Sequence, residues 1–162
     1  MQNFKDFEKL SIKLNDTCNA TGITRVLEEA FSAVNIYIYD YTSETLRDFS
    51  KSWISIDEFR NKEKAKKLYQ IFEELKNNNY LTEDNKLYYA LYHGQKLIGI
   101  LEFSEHLNSE TLEFLKVASY LISLKIQNVI LLDRMQKNID FHDAMKNIAK
   151  IIETQYETSY II

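Results

Sequence analysis

Apolar side chains recur at helical intervals through the first thirty residues. Phe4, Phe7, Leu10, Leu14 and Cys18 fall on one face of a helix predicted over residues 3–19. Residues 19–22 break that pattern. Thr21 is placed to cap a second helix, whose stripe is Ile23, Val26, Leu27, Ala30 and Phe31. The period then drops to two. Residues 35–41 (NIYIYDY) are β-branched and aromatic, with Ile on one face of the predicted strand and Tyr on the other. A weaker strand is predicted within residues 46–51. Helical spacing returns from Lys62 to Lys76 through Ala65, Leu68, Tyr69, Phe72 and Leu75, and Asn77-Asn78-Asn79 ends it. Residues 87–92 and 96–103 read as a hairpin around Gly94, which supplies the positive φ of a tight turn. Gly99, inside the second of these strands, predicts close approach of another backbone.

After the hairpin, Asn108 is placed as the N-cap of a helix running to about Lys137. Glu110 stands in its first turn, and Leu107 and Leu112 are spaced as a staple. Leu115, Ala118, Ile122, Val129 and Leu132 make one seam. Phe114, Leu121, Leu124, Ile130 and Leu131 carry apolar surface beyond the stripe of roughly 100° that one sheet face covers. The surplus needs a further partner, either the first helix or a second copy of the chain. Asp140 is placed either to cap another helix, with Phe141, Met145, Ile148 and Ile152 on one side, or to lie within one long helix.

These elements predict an α+β domain over residues 1–138. Helices from both chain ends lie on one face of a small antiparallel sheet, and a helix-and-loop lid lies on the other. Residues 139–162 read as the start of a helical linker or a second domain. Residues 148–160, like 10–22, pass from helical spacing through polar positions to apolar ones. With the apolar ending Tyr160-Ile161-Ile162, this predicts an N-terminal piece of a longer protein.

Composition narrows the chemistry. At 162 residues, 45% apolar and 27% charged, the chain is one globular domain's worth. It has no Pro, and its three Gly are too dispersed for a dinucleotide fingerprint or a phosphate-binding loop. Twenty basic against 24 acidic residues, a net charge of −4, predict no nucleic-acid partner, and the basic run 60–67 reads as a solvated helix face. The lone Cys18 excludes an internal disulfide. The first residues do not resemble a signal peptide. The longest uncharged apolar run, residues 117–124, falls short of the roughly 20 residues of a membrane span. A cytoplasmic chain without a span is predicted.

The order helix, helix, strand, strand, helical crossover, hairpin, long helix resembles a GAF domain. Residues 33–40 (AVNIYIYD) are similar to that family's first strand, which commonly ends on Asp. Residues 93–103 (HGQKLIGILEF) resemble its turn followed by xxIGxLxF, and residues 107–131, with Ile126-Gln127-Asn128, resemble its closing helix. The resemblance covers about residues 5–135, and PAS domains share the general architecture. It implies a sensory domain of a bacterial signalling protein that binds a small ligand, pairs as a homodimer through its terminal helices and signals to a downstream output domain. Asn85-Lys86-Leu87-Tyr88 begins like the Asn-Lys-x-Asp motif of cyclic-nucleotide-binding members but lacks the Asp. Cys18 lies in the wrong helix for bilin attachment.

No nucleophile–base pair and no HExxH is legible, so neither catalytic nor metal residues are assigned and an enzyme is not predicted. Glu102, Glu105 and His106 read as a solvated strand end. The implied pocket would have Tyr37, Tyr39 and the hairpin's Tyr89 from the sheet, and Trp53, Phe59, Tyr69, Phe72 and Tyr80 from the lid. Stacked rings and phenols suit a nucleotide or another planar ligand. The same rings equally suit a filled core, which would make the domain a ligand-free dimerisation module. His142-Asp143 also resembles a histidine-kinase phosphoacceptor site, although Asn147 stands five residues on, off that pattern.

Overall fold

The computed structural model describes residues 2–31, 34–105 and 107–160. Two helices open the chain, α1 (Gln2–Asn15) and α2 (Ala20–Phe31). The first stops earlier than its spacing predicts. The Thr17 amide and hydroxyl both donate to the Leu14 carbonyl, at 3.1 and 2.6 Å, which closes the helix and leaves Cys18 exposed outside it. Asn19, not Thr21, caps α2, because its side-chain oxygen accepts from the Gly22 amide at 2.8 Å.

Six strands follow, interrupted by a 3-10 turn (Ile56–Glu58) and an α-helix: β1 (Val34–Asp40), β2 (Thr45–Asp48), β3 (Ile54–Ser55), α3 (Lys62–Leu75), β4 (Tyr80–Glu83), β5 (Lys86–His93) and β6 (Lys96–Phe103). They form one antiparallel sheet in the order β3-β2-β1-β6-β5-β4. The short edge strands β3 and β4 carry no alternating apolar pattern, so sequence spacing does not reveal them. Asn61 caps α3 by accepting from the Lys64 amide.

Register sorts the side chains onto two faces. Ile36 pairs with Leu101, and Leu101 with Tyr89, so these residues share one face. Helices from both chain ends cover it: Phe31 meets Phe103 edge-on at 5.8 Å, and Phe114 lies 5.8 Å from Phe31 and 6.4 Å from Phe7. Tyr37 pairs with Ile100 on one side and Asp48 on the other, and these point to the opposite face under α3. There Tyr37, Leu46, Ala90 and Ile100 join Leu68, Ile71, Phe72 and Leu75 in one buried cluster. The sheet closes tightly at its centre. A Cβ at Gly99 would stand 2.5 Å from the Tyr37 carbonyl oxygen, so only glycine lets β1 and β6 pair there.

The last element is α4 (Ser109–Tyr160), capped by Asn108, whose side chain accepts from the Thr111 amide at 2.8 Å. It does not break at Asp140, whose exposed carboxylate accepts from Gln136 within the helix. Leu115, Ala118, Ile122 and Ile126 are wholly buried, and Val129 is at the margin. Leu132, placed in this seam by spacing, is instead 57% exposed: one turn past Val129 the stripe falls on Asp133. The chain divides into two compact units, residues 1–126 and 127–162, and every side chain from 131 to 155 is exposed. By length and composition α4 also qualifies as a membrane-crossing helix, with mean hydropathy 1.4 over its most apolar window, of which 28% is buried.

Candidate functional site

Five of the eight aromatic residues expected to line a pocket come together under α3. Tyr37 and Phe72 are fully buried, and Tyr39, Phe59 and Tyr69 pack against the same cluster. Tyr39 stacks on Phe72 with centroids 4.8 Å apart, and the Tyr69 hydroxyl accepts from the Leu46 amide at 3.3 Å. With Leu68 and Ile71 these rings occupy the space between sheet and helix.

The other three are elsewhere. Tyr80 pairs with Tyr89, and both lie on the face that carries the terminal helices. Tyr88, one residue from Tyr89 and therefore on the opposite face, points under α3 in its place. Trp53 sits in the β2–β3 connection with φ +61°, edge-on to Phe49 at 6.2 Å, and its carbonyl accepts from Arg47 Nη1 at 3.0 Å. Arg47 Nε also stands 3.3 Å from an Asp40 carboxylate oxygen.

The α3 face also holds polar groups that the spacing of apolar residues did not single out. Asp48 is only 2% exposed, and so is Glu102, which reads in the sequence as part of a solvated strand end but is held on the inward side of β6 by its register with Asn35. Glu102 Oε1 accepts from Asn35 Nδ2 at 2.9 Å and stands 3.9 Å from Lys86 Nζ, while Oε2 has no hydrogen bond of ordinary geometry among the described residues. The Asp48 carboxylate accepts from the Ser50 amide at 3.0 Å. Burial pushes the Asp48 carboxyl above its ordinary range, against the lowering pull of that bond. The Tyr37 phenol is held far above its usual range by burial, then by Glu102 and Asp48, and Tyr88 is raised by burial and by Glu102. No sequence signal marked Asp48 and Glu102, because their places opposite Tyr37 and Asn35 follow from strand register.

His106 lies outside the described residues, as do Ile161 and Ile162. His142 is exposed on α4. Among the described residues no three His, Cys, Asp or Glu side chains stand close enough to hold a metal ion.

Grooves indent the surface among the described residues. One, about 490 Å³ and open to solvent, runs along α3 past Asp57, Lys66, Tyr69 and Glu73. Two more, about 220 and 210 Å³, lie between the first turns of α4 and the β4–β5 edge, sharing Asn79, Tyr89 and Lys116.

No protein-family model and no curated protein matches the sequence. Solved structures resemble its fold. The GAF domain of an Acinetobacter phosphoenolpyruvate-protein phosphotransferase aligns with a TM-score of 0.59 over 83% of this chain and 98% of its own length, at 9% identity. The chain has a GAF-like fold. At that identity the likeness speaks for architecture, and the GAF-like chain's activity has to be argued from its own residues. Its α3 face, on which the expected ligand rings were placed, is filled by Tyr37, Tyr39, Phe72 and their neighbours.

Proposed function

We propose that this chain is a regulatory, non-catalytic GAF-like module that works as a homodimer joined along α4 and passes a change in helix packing to a downstream output domain. One observation carries the reading. Val117, Leu124, Leu131, Met145 and Ile152 stand at seven-residue steps on α4, with Asn138 completing the series, and each of the five apolar members is 50–58% exposed. A second row at Leu121, Asn128, Met135, His142 and Ala149 flanks it at coiled-coil spacing. A strict seven-residue apolar repeat is the signature of helices that wind around a partner, and a polar Asn within it fixes register. The residues that face the sheet, Leu115, Ala118, Ile122 and Ile126, form a separate stripe. Up to residue 126 the helix therefore has two apolar faces, and only one of them meets its own sheet.

Pairing of these helices in two alternative packings, one preferred by an effector, would supply the switch. The filled α3 face supports a second reading, a dimerisation module that takes no ligand there. Sedimentation equilibrium tests the common core of both readings. The chain is expected to be a dimer, and the double substitution Leu131→Glu with Met145→Glu is expected to make it a monomer without unfolding residues 1–126. A wild-type chain that stays monomeric at high concentration overturns the proposal.

A further inference from the structure

We infer that the groove between the first turns of α4 and the β4–β5 edge is a binding site for a free zwitterion of amino-acid size. Its floor residue Tyr89 lies across the sheet from the α3 face, and one lobe also reaches Ala90 and Tyr92 beside the α3-side cluster. Its two lobes, about 220 and 210 Å³, meet over the shared residues Asn79, Tyr89 and Lys116, and together they reach the size range of small-molecule sites.

The lining is chemically specific. Tyr89 forms the floor at 5% exposure, and the Ser119 hydroxyl in the same lining donates to the Lys116 carbonyl at 3.3 Å. Tyr80, 46% exposed on the last strand of the sheet, offers an aromatic wall to an apolar side chain. Glu113 and Lys116 are three apart on α4, a spacing at which opposite charges ordinarily pair. Here neither forms an ion pair with any described residue. Glu113 lines the lobe near the start of the helix, whereas Lys116 reaches both lobes. Two opposite charges, unpaired and held on one wall, complement a ligand that carries its own ammonium and carboxylate. The ammonium goes to Glu113, and the carboxylate goes to Lys116. Tyr120, a wall of the second lobe, is 65% exposed on the same helix as the seven-residue series, so an occupant touches the helix that the dimer reading uses. That coupling rests on the dimer reading; the binding does not.

The test uses the full chain, isotope-labelled and titrated by NMR with L-phenylalanine, L-leucine and L-glutamine. At least one is expected to shift the amides of Tyr80, Tyr89, Lys116 and Ser119. Its analogues lacking the amine or the carboxylate are expected to bind about tenfold or more weakly, a difference of about 1.4 kcal/mol or more. Lys116→Gln and Glu113→Gln, both at exposed positions, should weaken binding by a similar factor, while Lys66→Gln in the groove along α3 should not. Absence of shifts with all three amino acids overturns the inference. So does binding that survives both groove substitutions, or equal affinity for an analogue lacking one charge. Sedimentation of the same samples separates the two proposals, because a monomer that still binds sinks the dimer and leaves the groove standing.

Discussion

A methyl group added at Gly99 would stand 2.5 Å from the Tyr37 carbonyl and 2.7 Å from the Ile38 side chain, in the middle of the β1–β6 ladder. Backbone there cannot retreat without breaking strand pairing. Gly99→Ala is expected to cost about 1–3 kcal/mol in urea unfolding, the range for overpacking a tight core. Gly94 is different: nothing lies within 4 Å of its missing Cβ, but its φ is +62°. Gly94→Ala should therefore cost only the left-handed backbone penalty, roughly 1 kcal/mol. Equal losses from the two changes would contradict the geometry. Asp48 makes a prediction about pH. Its folded-state pKa lies above that of the unfolded chain because burial disfavours the charge. The folded state thus holds the proton more tightly, and this contribution to stability is lost as pH rises through the folded pKa. Asp48→Asn keeps an acceptor for the Ser50 amide and removes the titration. Its stability relative to wild type should be more favourable near neutral pH than below the ordinary carboxylate range. Parallel pH curves for the two chains would show that burial does not strain this carboxylate.

At the level of elements, strong periodicity was readable and weak or two-sided patterns were not. The β1 alternation of Ile and Tyr, the hairpin around Gly94 and the stripe of α3 follow directly from period and turn chemistry. Strands β3 and β4 owe their pairing to neighbours rather than to their own residues, which include exposed Ile54 and Tyr80. The pocket residues were harder still. On β5 a shift of one position exchanges Tyr88 for Tyr89 between faces, and only the register with β6 decides which ring points under α3. Composition could not reveal that Asp48 and Glu102 are buried, because charged side chains in strands are usually solvated. The cap of α4 was legible, and it carries its own prediction. Asn108 bonds both the amide and the hydroxyl of Thr111, at 2.8 Å each. Asn108→Ala should therefore destabilise residues 1–126 by about 1 kcal/mol, read from the urea midpoint at unchanged slope. A smaller loss would mean that packing of Leu115 and Ala118 alone sets where the helix begins.

For the whole molecule, the deciding quantity is concentration. Residues 131–155 form helix with every side chain exposed, among them Leu131, Met135, Ile139, Met145, Ile148 and Ile152. Helical stability in proteins comes mainly from burying an apolar face, and a solitary helix of this length in water is marginal. If a second copy supplies that burial, the distal helix and the association form one cooperative unit, and dilution must melt both together. Far-ultraviolet circular dichroism across a dilution series should then lose helical signal as sedimentation shows dimer giving way to monomer. The near-ultraviolet signal, dominated by the many rings within residues 1–126, should hold. Leu131→Glu should reproduce the diluted spectrum at high concentration. Helicity per residue that is constant from the most concentrated to the most dilute sample would mean that the distal helix stands without a partner, and the exposed seven-residue series would then have no role in association.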